Sequence, residues 1–186
     1  MGVIPASINI LSSQYPRRDQ KDPAKYKYVD KVMQGLPGTP CCVQMSHALN
    51  MCGIPVPQGS YRRNPNPKLT IDGRHCSYLL ATDELEDFLQ TYCGEPETIN
   101  RDLNHTRSVE EIKGYIKNRP GLLIFRYSNP RLPAPQGQFE HTELWDGTRI
   151  LQRDMNEQFL FARPRVLMWD TNDPAKWLVD YMKTQS

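Results

Sequence analysis

Apolar positions along this chain recur at helical spacing up to about residue 120, then change to short runs and alternations that suit strands. The clearest helix is marked by Cys41, Met45, Ala48, Leu49 and Cys52, whose steps of four, seven, eight and eleven form one buried stripe. Thr39 suits its N-cap and Pro40 its first turn, while Gly53 ends it and Pro55 prevents continuation. A short strand over residues 77 to 81 leads into a second helix, capped by Thr82, with Asp83 and Glu84 in the first turn and Leu85, Phe88, Leu89 and Tyr92 as the apolar face. A third helix opens at Ser108, with Glu111 three residues on, and buries Val109, Ile112 and Ile116 before Pro120-Gly121.

Downstream, residues 121 to 127 read as a buried strand, 139 to 145 and 149 to 153 as two strands joined at Asp146-Gly147, and 159 to 162 and 166 to 169 as further strands. A last helix is predicted from Asp173-Pro174, packing through Trp177, Leu178, Tyr181 and Met182. Residues 1 to 38, broken by Pro5, Pro16, Pro23 and Pro37, read as an arm wrapped across the core, with one short helix over 26 to 34. Residues 54 to 76, with Pro55, Pro57, Pro65 and Pro67 among Arg62, Arg63, Lys68 and Arg74, read as an exposed basic loop. Helices first and an antiparallel sheet last define an α+β fold in one domain, residues 1 to 186. Its parts are a wrapping segment (1–38), a helical part (39–120), the sheet (121–170) and a C-terminal helix (171–186).

Composition narrows the function. Lys and Arg number 23 against 21 Asp and Glu, so no electrostatic case exists for nucleic acid or an anionic membrane. No apolar run approaches the roughly 20 residues that span a bilayer, and the N-terminus lacks the pattern of a signal peptide, which points to synthesis in the cytoplasm. Five cysteines, an odd number without a Cys-x-x-Cys pair, argue against zinc and leave at least one thiol free in a monomer. Neither a metal nor a cofactor is called for.

The chemistry centres on Cys41. Among the free N–H groups at a helix start, where the dipole favours negative charge, a thiol is biased towards the nucleophilic thiolate. Cys42 points about 100° away and is the weaker candidate. A cysteine nucleophile needs a base. His47 lies on the far side of its helix, His75 at a loop end and His105 in a polar run, whereas His141 sits in a strand, which holds attack geometry better. The residue that orients its imidazole should come from the neighbouring strand. A two-residue turn at Asp146-Gly147 puts Gln152 opposite His141, and a four-residue loop puts Asp154 there; carboxylate chemistry favours Asp154, with Gln152 the competitor.

The words carrying this site narrow it further. Thr39-Pro40-Cys41-Cys42-Val43-Gln44-Met45-Ser46-His47-Ala48-Leu49-Asn50 with Gly53-Ile54-Pro55-Val56-Pro57, and later His141-Thr142-Glu143-Leu144-Trp145-Asp146-Gly147, resemble the fourth family of type VI secretion amidase effectors. The resemblance covers most of the chain and extends to residues 11–16, 78–89 and 166–169. It implies a papain-like (NlpC/P60-like) enzyme, injected into the periplasm of a rival bacterium, that cleaves the γ-D-glutamyl to meso-diaminopimelate bond of peptidoglycan stem peptides. It implies as partners the secretion apparatus and a cognate immunity protein. The family's nucleophile falls on Cys41 and its base on His141; its acid falls on Gln152 without a gap and on Asp154 with a slightly longer hairpin. Gln44 stands where the family usually has arginine, Glu140 where a glycine usually precedes the histidine, and the cysteine pair that can flank the acid is missing.

Two other readings compete. A transglutaminase or acyltransferase on the same fold would use the same triad with an amine as acceptor, and a binding module would hold Cys41 only as a buried structural thiol.

Overall fold

The computed structural model describes residues 1–18, 23–34, 39–57, 67–99, 107–127 and 140–172. In chain order its elements are β1 (Val3–Ile4), α1 (Ile8–Gln14), α2 (Pro23–Met33), α3 (Pro40–Met51), β2 (Lys68–Ile71), β3 (Arg74–Ser77), α4 (Thr82–Cys93), β4 (Glu97–Thr98), α5 (Val109–Tyr115), β5 (Gly121–Arg126), β6 (His141–Trp145), α6 (Glu157–Phe161) and β7 (Arg165–Thr171). The main sheet runs β1-β7-β5-β6, with β4 also paired to β7. β5 lies antiparallel between β6 and β7, and Phe125 stands opposite His141.

Strand periodicity divides the core. Leu122, Ile124, Leu144, Leu167 and Trp169 pack with Met45, Ala48 and Leu49 of α3 and Leu85, Phe88 and Leu89 of α4. Leu123, Phe125, Trp145, Val166 and Met168 pack with Ile112 and Ile116, and with Leu160 and Phe161 of α6. The sheet is thus covered on both faces, which explains why all six residues of β5 are buried. β6 ends the sheet's strand path, and its first residue is His141.

The helix-then-sheet order holds, with corrections. The arm is more than a wrapping: β1 joins the sheet parallel to β7, so the sheet is mixed, and Ser7 caps α1 by accepting from Ile10 N. The presumed loop contains the β2–β3 hairpin, whose Asp72-Gly73 turn has both φ positive (49° and 77°), the geometry of a two-residue hairpin turn. Ile71 and Cys76 are buried there against Val29, Val32 and Tyr78. β3 stops at Ser77, so residues 78 to 80 reach α4 outside the ladder.

The N-cap of α4 is Ala81 rather than Thr82. Glu84 accepts from Leu80 N and Ala81 N at 3.0 and 3.3 Å, and the Thr82 hydroxyl turns instead to Glu140. Tyr92 is exposed rather than part of the packing face. The strand expected over 149 to 153 shrinks to one bridge, Trp145 to Ile150, because Asp146 accepts from Thr148 N and Arg149 N and turns the chain. The strand expected over 159 to 162 is α6, capped by Asn156. The predicted last helix lies outside the described residues, and Thr171 closes β7.

Candidate active site

Pro40 occupies the first turn of α3, so Cys41 sits at the helix start as its sequence requires. The helix is buried all round from Cys41 to Asn50 rather than along one stripe, since it packs both on the sheet and against the β2–β3 hairpin and α2. Thr39 makes no side-chain cap; its hydroxyl donates to Cys42 Sγ at 3.1 Å.

Cys41 opens onto a cleft of about 280 Å³ that is also lined by Gln44, Glu140, His141, Gln152 and Arg163. A hydrogen bond from Cys42 holds its thiol well below the usual cysteine range; burial opposes this, and His141 and the Thr142 backbone N–H add to the lowering. Cys42 is thus not turned away from the nucleophile. Its own proton is held firmly, first by burial and then by the charge on Cys41, and it donates to that charge.

His141 is nine-tenths buried, and burial opposes its charge. Cys41 and Glu143 outweigh that and push its pKa up to about 10. Both shifts favour the thiolate–imidazolium form of the pair. The other histidines are elsewhere: His47 meets Tyr78 Oη at 3.2 Å with its pKa lowered to about 4 by burial and Lys25, His75 meets Thr70 in the hairpin, and His105 lies outside the described residues.

This electrostatic state has a direct readout. Alkylation of Cys41 by iodoacetamide, followed by peptide mass mapping, is expected to be nearly flat from about pH 6 to 9. Cys52, whose pKa burial pushes up to about 11, is expected to react about tenfold faster per pH unit over that range. A tenfold-per-unit rise at Cys41 would refute the ion pair.

The two candidates for the third residue part company. Asp154 is gripped by Arg18, Nη2 at 2.6 Å and Nε at 3.0 Å, and its side chain is 35% exposed. Gln152 lines the cleft with Cys41 and His141, and its Oε1 accepts from Gln44 Nε2 at 2.9 Å. Gln44, which stands where the resembling family usually has arginine, thus touches one of the two candidates for the third residue. The carboxylate that faces the imidazole is Glu143, with Oε2 3.6 Å from His141 Nε2. Sequence reasoning looked across the turn and missed it; the available signal was its position two residues along the same strand, on the same face. Among the described residues no group of His, Cys, Asp and Glu is arranged to hold a metal, and no helix is long and apolar enough to cross a membrane.

A cysteine of lowered pKa at a helix start beside a strand histidine is an arrangement that suits nucleophilic acyl-transfer chemistry. The chain belongs to the family described as type VI secretion system (T6SS), amidase effector protein 4, whose profile matches residues 39–173. Among solved structures, the type VI effector Tae4 from Enterobacter cloacae superposes with a TM-score of 0.61 at 16% identity, over 92% of this chain and 100% of that one. The Tae4–Tai4 effector–immunity complex from the same organism gives 0.58 at 18%, over 91% and 99%. The Tae4/Tai4 effector–immunity system of Salmonella typhimurium gives 0.57 at 16%, over 90% and 99%. No curated protein matches the chain.

Proposed function

We propose that this protein is a papain-like (NlpC/P60-like) cysteine amidase that hydrolyses the γ-D-glutamyl to meso-diaminopimelate bond of peptidoglycan stem peptides in the periplasm of a rival bacterium. The observation that carries the reading is the pairing of Cys41 with His141 at the floor of an open cleft, together with family membership. Cys41 Sγ attacks the amide carbonyl, and N–H groups at the start of α3 stabilise the oxyanion. His141 gives its proton to the departing diaminopimelate amine, and water activated by the neutral imidazole then hydrolyses the thioester. A secreted toxin of this kind calls for a cognate immunity protein in the producer, as the Tae4–Tai4 complexes among the similar structures suggest.

The test is mass spectrometry of muropeptides after incubation of sacculi with the protein. Hydrolysis is expected to yield free γ-carboxyl and amine termini, a net gain of one water. New cross-links would instead mean transfer to an amine, and unchanged muropeptides would mean a binding module; either result overturns the reading.

A further inference from the structure

We propose that Glu143 is the positioning residue of His141, supplied by the same strand rather than by the segment across the turn. The inference rests on the cysteine-amidase reading above and assigns a role within that site. Residues 141 and 143 share a face of β6 by strand periodicity. Glu143 is fully buried and His141 is 8% exposed. Glu143 Oε1 accepts from its neighbour Leu144 N at 2.9 Å, which fixes the carboxylate and leaves Oε2 facing His141 Nε2 at 3.6 Å.

Neither of those two buried atoms has a hydrogen-bond partner. Buried polar atoms are costly when unmatched, and a carboxylate facing an imidazole satisfies both with a closure of a few tenths of an ångström, of the kind catalytic hydrogen bonds undergo when substrate binds. The Tyr15 hydroxyl, just beyond α1, is a third buried atom without a geometric partner, and it lies close enough to Glu143 for the carboxylate to raise its pKa. With Nε2 turned to Glu143, the other ring nitrogen is left to exchange a proton with Cys41. The charged and titratable groups around the carboxylate are His141 on its own strand, Cys41 on α3 and Tyr15 on the N-terminal segment. The alternatives are occupied: Arg18 holds Asp154, and Gln44 holds the acceptor oxygen of Gln152.

Glu143→Gln preserves shape and removes charge, and two readouts test it. On sacculi, kcat is expected to fall about 10²- to 10⁴-fold with KM changed less than about threefold, the pattern of a lost orienting carboxylate. On the free protein, the acid-side onset of Cys41 alkylation is expected to move up by about one pH unit or more, because a less stabilised imidazolium supports less thiolate. Glu143→Asp should recover part of both, and Tyr15→Phe should move both in the same direction by a smaller amount. A wild-type alkylation profile in Glu143→Gln overturns the proposal, whatever happens to kcat, and so does a profile that shifts in Gln152→Ala instead. Should Glu143→Gln fail to fold, an unchanged profile in Tyr15→Phe and Glu143→Asp overturns it. The alkylation arm needs no peptidoglycan, so inactivity of the wild type on sacculi would sink the amidase reading while leaving the role of Glu143 tested.

Discussion

Replacing Cys41 with alanine is expected to lower turnover of peptidoglycan stem peptides by about 10³- to 10⁶-fold, the range seen when one member of such a catalytic unit is removed. The loss should fall on kcat, since Gln44, Glu140, Gln152 and the other lining residues keep the cleft's shape. Cys42 cannot take over: it is fully buried, and burial together with the thiol beside it raises its pKa. The histidine should report the change too, because without the thiolate one of the two groups raising its pKa to about 10 is gone, and its titration should move down. Initial rates of muropeptide release measure the first effect, and the imidazole NMR shift against pH the second. A Cys41→Ala protein that digests sacculi at the wild-type rate would end the cysteine mechanism.

The second large effect concerns stability. Arg126, 1% exposed at the end of β5, pairs with Glu86 of α4 at 3.3 Å and with Glu140 at 3.0 Å. Glu86 also meets Arg165 of β7 at 3.3 Å, and Glu140 accepts from the Thr82 hydroxyl at 2.5 Å. The network ties α4, β5 and β7 to the residue just before His141. Arg126→Ala leaves two carboxylates short of their shared counter-charge in a buried site, which typically costs about 3 to 5 kcal/mol. Denaturant unfolding measures it, as a lower midpoint with an unchanged slope. The contrast is Asp154→Asn, which breaks only the exposed pair with Arg18 and is expected to cost about 1 kcal/mol or less. An Arg126→Ala loss as small as that would show that the network contributes little. Glu140, in a position where the resembling family usually has glycine, extends this network to the start of β6.

Much of this was legible because it is local. The start of α3 follows from Thr39, Pro40 and the apolar spacing behind them, and α5 follows from Ser108 and Glu111, whose reciprocal hydrogen bonds the structure contains. β5 and β7 were readable as apolar runs, and β6 as a strand ending at the Asp146-Gly147 turn. The misreadings came where two local signals conflicted. Pro55, Pro57, Pro65 and Pro67, all ahead of residues 68 to 77, outweighed the Asp72-Gly73 turn and the Leu69/Ile71 alternation, and the apolar residues of 159 to 162 outweighed the capping residue Asn156.

The sequence by itself determined a cysteine at a helix start, a histidine held in a strand and an α+β order of elements, since capping, proline and hydrophobic period act within a few residues. Only the tertiary structure decided that β1 enters the sheet beside β7, that Cys42 bears on the charge of Cys41, and which carboxylate faces His141. Arg18 reaches Asp154 and Gln44 reaches Gln152 across more than a hundred residues of chain. Those long-range partners occupy both residues that turn geometry nominated, and Glu143, fully buried and held through Oε1 by Leu144 N, is left with Oε2 facing the imidazole.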